Sequence, residues 1–311
     1  MTVAELQNEP AHLRLLAAQR NLYSESKRII GLQMLLAGPV AIGATVAGLL
    51  IPEIKNTITI WGLTVIFIEL VVLLPAQKKM RESAAKIQEL FDCQVLSLPW
   101  NELKAGKKPD PEVVHAHAKK FAAAESMEVL RDWYPPAAAT MPNEIARVIC
   151  QRANVYWDSK LRRRYAWALA AAAFIVTLGL VWLSAHTETR LQDFVVFLLS
   201  PMASTYALAY RQFTEHREAA ERLDRLKDHA NKLFNEVIGG MSADAARAES
   251  RALQDEIFDG RKRNPPIFDF IFKMFHRENE DEMNTAADTL VMEAAAAQGR
   301  MAKPMSETGR S

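Results

Sequence analysis

The sequence predicts an all-α membrane protein, with four transmembrane helices in two hairpins. A helical cytoplasmic domain is expected from the central segment and both termini. Three observations carry that reading. Half of the 311 residues are hydrophobic, yet they are segregated into four long apolar runs separated by charged stretches. The runs pair across short polar turns, "PEIKN" and "HTETRLQD". Basic residues crowd the open end of each pair rather than its turn. One such run alone could be the core helix of a soluble protein, since a fully buried helix is apolar all round. Four runs arranged as two hairpins argue against that.

Taken in order, residues 1–28 are polar and charged and read as an N-terminal cytoplasmic helix. The first hairpin covers residues 29–77. Its first run, "IIGLQMLLAGPVAIGATVAGLLI", carries no charge. A bilayer core of ~30 Å needs roughly 20 apolar residues, so the run is long enough to span it. It is too long, and too far from the start of the chain, for the core of a cleaved signal peptide. The second run occupies residues 57–77.

Residues 78–164 read as a cytoplasmic helical segment. "ESAAKIQELF" continues the helix of the second run. Asp110-Pro111 marks a helix start, because proline is tolerated in the first turn. "PNEIARVICQRANVYWDSKLRRRY" contains no interior breaker, which predicts one long helix passing from the cytoplasm into the third run. The second hairpin covers residues 165–210. Its last run is short and carries Pro201. Pro39 and Pro201 can each kink a helix by deleting a backbone hydrogen bond. The pairs Gly43/Ala47 and Ala44/Gly48 allow close helix contact.

Residues 211–297 read as a C-terminal cytoplasmic helical segment. Leu223, Leu226, Ala230, Leu233 and Val237 follow a 3-4-3-4 spacing, a short seam that fits another subunit or a neighbouring helix of the same chain. A Gly-Gly break precedes a helix expected from near Ser242 to Gly260. The two prolines of "RKRNPP" forbid helix after it. Residues 267–275 are aromatic-rich and amphipathic, suited to packing on other helices or to the lipid boundary. "ENEDEM" lacks the spacing of a calcium loop and reads as a solvated helix start. Residues 298–311 are polar and predict a disordered tail.

Basic residues set the topology. Lys27 and Arg28 precede the first run, and Lys78, Lys79 and Arg81 follow the second. Arg162, Arg163 and Arg164 precede the third, and Arg211 follows the fourth. The turns hold Lys55 and Arg190 alone. The positive-inside rule then places both termini and residues 78–164 in the cytoplasm of a multi-pass membrane protein. Cys93 and Cys150 fall on that side, where thiols stay reduced. The two cysteines are far apart, which fits neither a disulfide framework nor a zinc site. With 38 basic and 37 acidic residues, net charge points to no nucleic-acid polymer.

No enzyme is expected. The chain has no glycine-rich phosphate loop, no Cys-x-x-Cys and no His-Glu-x-x-His. His115 and His117, two apart on a predicted helix, point to different faces and form no metal pair. No cofactor or metal is expected either. What remains is arginine close to aromatic residues: Arg131 and Trp133 in "LRDWYPP", Arg152 and Trp157 in "CQRANVYWDSKLRRR", and Arg263 and Asn264 in "RKRNPP". Guanidinium groups pair with phosphates and aromatic faces stack on bases, so these six are the candidate ligand-binding residues. The plainer alternative is helix packing by Arg131–Asp132 and Arg152–Asp158.

Six stretches together carry a resemblance: "QNEPAHLRLLAAQRNLYSESKR", "ELFDCQVLSLPWNE", "DWYPP", "ICQRANVYWDSKLRRRY", "FDGRKRNPPIFDFIF" and "NEDEMNTAADTLVME". In this order they resemble the bacterial four-transmembrane effector family associated with SMODS-type nucleotidyltransferases. The resemblance implies a role in cyclic-oligonucleotide anti-phage signalling. A partner nucleotidyltransferase makes a cyclic oligonucleotide, and the effector binds it and permeabilises the membrane as a homo-oligomer in contact with lipid. The alternative is a membrane-anchored interaction protein that recruits a cytoplasmic partner without forming a pore.

Glu69 stands inside the second apolar run. It lies nine residues before Lys78, so ~13 Å inside the cytoplasmic boundary at 1.5 Å per residue. A charge at that depth costs roughly 2.5–3.5 kcal/mol on insertion scales and should face protein or water. Ser200 and Ser204 reach a similar depth in the fourth run. Glu69 is thus either a protonated carboxyl hydrogen-bonded to Ser204 or Thr205, or one of a ring of carboxylates in an oligomeric pore.

Overall fold

The computed structural model describes residues 1–301 except 41, 42, 45, 46, 48–50, 187–189, 191, 193, 194 and 196–199. Every regular element among the described residues is helical. The α-helices are α1 (Val3–Gln7), α2 (Pro10–Leu35), α3 (Lys55–Ile68), α4 (Leu74–Val95), α5 (Glu102–Ala105), α6 (Pro111–Ala124), α7 (Asn143–His186), α8 (Ser200–Ile238), α9 (Ala243–Arg263) and α10 (Asp269–Met301). The helical body is built on two pairings. α2 lies between α4 and α6, and α7 runs alongside α8. α9 bridges the pairs by touching α4, α7 and α8, while α10 closes against α7. Leu16, Ile87, Phe91, Leu130, Ile149, Leu233 and Leu253 form the centre of one continuous core.

The unbroken stretch before the third run forms one helix of 44 residues, α7. Asp110 caps α6 with Pro111 in its first turn, and the helix ends at Ala124, where Glu125 turns extended. The seam of α8 is spent within the chain. Leu223, Ala230, Leu233 and Val237 are buried in the common core, with Leu226 packed against it.

Three sequence expectations need correction. α9 starts as expected behind Ser242, whose Oγ accepts from the Ala245 amide, but it continues through Gly260 to Arg263. The stop is Pro265, which drives Asn264 into extended geometry, φ −66° and ψ 136°. "ENEDEM" is not a helix start. It lies inside α10, which begins at Asp269, and Glu282 there accepts from Tyr156 at 3.1 Å and pairs with Lys160. α10 also continues to Met301, past the point where composition predicts disorder; residues 302–311 lie outside the described chain.

At the other end of the molecule apolar side chains are exposed. Leu63, Phe67, Leu70, Val71 and Val72 on the second run, and Phe174, Ile175 and Trp182 on the third, face outward. A soluble surface rarely carries so contiguous a patch. Among the described residues one helix, Ile60–Val95, is long and apolar enough to cross a membrane.

Both described segments of the first hairpin widen into π-helix, at Leu36–Val40 and at Glu69–Leu73. Each lies at a proline. Pro39 is inside the first, and Pro75 follows the second by two residues. Proline removes an amide and crowds the carbonyl four residues back, and a widened turn relieves both. In the second segment the Leu74 amide reaches back five residues to the Glu69 carbonyl. Half-buried Glu69 therefore opens a π-turn. Ser200 and Ser204 lie on the backbone of α8; their side chains, Thr205 and Gly48 lie outside what is described.

Candidate ligand-binding cavity

A cavity of about 260 Å³ opens where α2, α7, the 129–134 loop and the connector after α9 converge. Helical spacing explains two of its walls. Gln19, Tyr23 and Lys27 recur at four-residue intervals on α2, and Asn154, Trp157, Asp158, Leu161 and Arg162 share one face of α7.

The loop wall holds Arg131, Trp133 and Tyr134, and its shape is set from the N-terminus. Asp132 adopts φ 51°, a left-handed conformation that aspartate tolerates better than most residues. Two neighbouring side chains clamp it there. Asn8 Nδ2 donates to Asp132 Oδ1 at 2.8 Å, and the Asp132 amide donates to Asn8 Oδ1 at 3.1 Å. Gln7 accepts from the Tyr134 amide at 2.7 Å and donates to its carbonyl at 3.2 Å. Tyr134 also stacks on Phe91, with ring centroids 6.1 Å apart.

Behind the cavity lies a buried ionic cluster. Asp92 accepts from Tyr134 Oη at 2.7 Å, from Gln254 Nε2 at 2.8 Å, and from Arg261 Nη1. Arg251 Nη2 donates to Glu89 at 2.6 Å and to Asp255 at 2.9 Å. Burial, and then the neighbouring Asp92, raise the Glu89 pKa. Burial also works against charged Arg261, but the Asp92 carboxylate outweighs it and raises the guanidinium pKa further. Arg261 is thus a fixed cation whose side chain is only 9% exposed. One of its nitrogens, Nη2, is buried without a partner, and the residue lines the cavity. Such an orphaned cationic donor is costly when left unpaired and suits an anion.

The floor is formed by Arg162. Its Nη1 donates to the Pro265 carbonyl at 2.7 Å and to His216 Nδ1 at 3.3 Å, and its Nε pairs with Asp158 at 2.9 Å. Burial, and then the adjacent Arg162 charge, push His216 down to about 2, so it is neutral and accepts at Nδ1. Leu161 and Ile267, also on the floor, pack with Tyr165 at the start of the third apolar run. Among the lining residues five are cationic, Arg20, Lys27, Arg131, Arg162 and Arg261, against the carboxylates of Asp132 and Asp158. Tyr23, Trp133, Tyr134 and Trp157 supply aromatic surface.

Four of the six sequence candidates meet here: Arg131, Trp133, Trp157 and Asn264. Arg131 also bonds Glu128 at 2.7 Å, and Asn264 accepts from Arg222 at 3.0 Å. Arg152 and Arg263 do not reach the cavity. Arg152 Nε donates to Asn231 of α8 at 2.6 Å, because it leaves α7 on a different face from Asn154. Arg263, two residues after Arg261, projects from the opposite side of α9, is 72% exposed and sits 3.6 Å from Asp259. Arg152 thus serves helix packing, but against Asn231 of α8 rather than Asp158, which pairs with Arg162. The sequence reading missed Arg20, Tyr23 and Lys27, for which the three- and four-residue spacing on α2 was the available signal. Arg261 stands in the "RKRNPP" stretch that the sequence singles out, and Arg162, one of three arginines after Trp157, read also as a membrane-boundary cation.

The family described as "SMODS-associating 4TM effector domain" matches residues 1–290. A curated relative from Bacillus cereus (strain VD146), named as a probable CBASS effector molecule, is 22% identical over 293 residues, covering 90% of this chain and 95% of its own. No solved structure matches.

Proposed function

Because this chain belongs to the SMODS-associating 4TM effector domain family, a family of membrane effectors in anti-phage defence, we propose that it is switched by a cyclic oligonucleotide bound in the cavity and permeabilises the bacterial inner membrane. The observation that carries this reading is the cavity itself, where an enclosed, unpartnered Arg261 nitrogen sits among further cations and aromatic faces. Phosphates match the guanidinium groups, and bases match the rings. The signal comes from a partner nucleotidyltransferase, and the protein acts without catalysis of its own. All four apolar runs span the bilayer, with both termini in the cytoplasm, and several copies assemble.

Coupling runs through Arg162. This residue faces the ligand and also ties α7 to Pro265 and to His216 of α8. α7 and α8 continue into the third and fourth runs. A phosphate that recruits Arg162 Nη1 competes with the Pro265 carbonyl, which shifts the balance between two arrangements of those helices. It does so only by its differential affinity for the two. Glu69, at its π-turn, is the carboxylate placed to line the resulting path.

Leakage of dye and ions from vesicles containing the purified protein, titrated with cyclic di- and trinucleotides, tests the reading. Leakage triggered by a low concentration of one nucleotide is expected. Silence toward every nucleotide, from folded and inserted protein, would sink it and favour a membrane anchor that recruits a partner.

A further inference from the structure

Three carboxamides on the cavity wall make no side-chain hydrogen bond among the described residues. Gln19 on α2 is 3% exposed and Gln88 on α4 is 7% exposed, and neither side chain has a hydrogen-bond partner among the described residues. Asn154 on α7 presents an Nδ2 that is fully enclosed and unpartnered. The enclosed Asn154 Nδ2 is a standing cost, and the Gln19 and Gln88 amides, which keep contact with the cavity, are free to meet a ligand.

Their chemistry separates them from the cationic groups. Each carboxamide offers a donor beside an acceptor, whereas a phosphate offers acceptors only. Two of the three are also paired with a ring on their own helix: Gln19 lies one turn from Tyr23, and Asn154 one turn from Trp157. A base stacked on either ring presents its edge to the neighbouring amide. Side-by-side amino donor and ring-nitrogen acceptor are the pattern that asparagine and glutamine read on adenine. The guanine edge with two donors calls for a free carboxylate, and the two lining carboxylates are engaged, Asp158 by Arg162 and Asp132 by Asn8. The guanine edge with two acceptors calls for a bidentate arginine. The phosphate takes up Arg162, and Arg261 gives Nη1 to Asp92.

We propose that Gln19, Gln88 and Asn154 read the base of the bound nucleotide and that this base is adenine. The inference rests on the cavity being the cyclic-oligonucleotide site. The test measures binding to the full-length protein by calorimetry, with cyclic dinucleotides bearing two, one or no adenines and with cyclic triadenylate. The best binder is then compared with its analogue in which hypoxanthine replaces adenine, which changes the amino donor to an acceptor. Adenine-bearing members are expected to bind, and the hypoxanthine exchange to weaken binding roughly ten-fold or more. Gln19→Leu and Gln88→Leu are expected to erase that discrimination while the melting temperature stays level or rises, because each removes an unpartnered amide. Adenine-free members binding equally well, discrimination that survives both substitutions, or a marked loss of stability in the leucine variants would overturn the assignment. If no cyclic nucleotide binds folded protein, the reading of the cavity fails first and this assignment goes with it.

Discussion

Arg162 Nη1 donates to the Pro265 carbonyl at 2.7 Å, joining the helix that enters the third apolar run to the connector that forms the cavity floor. The same guanidinium holds Asp158 and His216, so one buried side chain ties ligand wall, connector and α8 together. Replacing it with methionine keeps the volume and removes all three ties. Arg162→Met should raise leakage in the absence of nucleotide. Vesicles as tight as those with the wild type would end the view of Arg162 as the tie that holds the resting arrangement.

His216 gives a pH prediction. It is fully buried, and its pKa is lowered to about 2 against an ordinary value of 6.5, so the unfolded chain binds the proton that the folded one refuses. Stability from this residue is intact above the unfolded pKa and falls on acidification below it, by about 1.4 kcal/mol per pH unit. His216→Gln should flatten the difference in denaturation free energy between pH 6.5 and pH 5. Parallel pH profiles for the two proteins would contradict it.

The cationic wall predicts a contrast among arginines. Arg131→Ala, half-exposed and outside the buried ionic cluster, should weaken nucleotide binding on the order of ten-fold with little change in stability. Arg152→Ala and Arg263→Ala should leave affinity unchanged. Equal losses at all three positions would mean that the ligand sits elsewhere.

The N-terminal clamp predicts action at a distance in sequence. Asn8→Ala removes two hydrogen bonds to Asp132, which alone costs on the order of 1–3 kcal/mol. It should also lower affinity, because Arg131 and Trp133 are aimed by that turn. Hydrogen exchange across residues 129–134 should speed up; protection unchanged from wild type would show the clamp to be dispensable.

Glu69→Gln separates gating from conduction. It keeps the shape of the side chain at the π-turn and removes its charge. Ligand affinity should hold while conductance or cation selectivity changes. Identical currents would remove Glu69 from the path.

Much of the fold was legible because it rests on local rules. Prolines at 111 and 265, the Ser242 cap and the unbroken run from 143 onward set where α6, α9 and α7 begin or end. The six motif stretches named the family, whose match covers residues 1–290. Local rules also placed Arg131, Trp133 and Asn264 on the cavity wall, beside breaks in helix where walls meet, and Trp157 on the α7 face between them.

Only the tertiary structure decided which cations line the cavity. Arg261 and Arg263 are alike in sequence, but two residues along a helix turn a side chain to the other face, and Asp92, 169 positions away, buries one of them and fixes its charge. Arg162 looks like one more boundary cation until Asp158, Pro265 and His216 close around it. The amides of Gln19 and Gln88 look ordinary until burial leaves them without partners. Composition and spacing determine which segments are helical and which are apolar, because those depend on neighbours a few residues apart. Partnership and enclosure depend largely on groups far apart along the chain, and only packing brings those together.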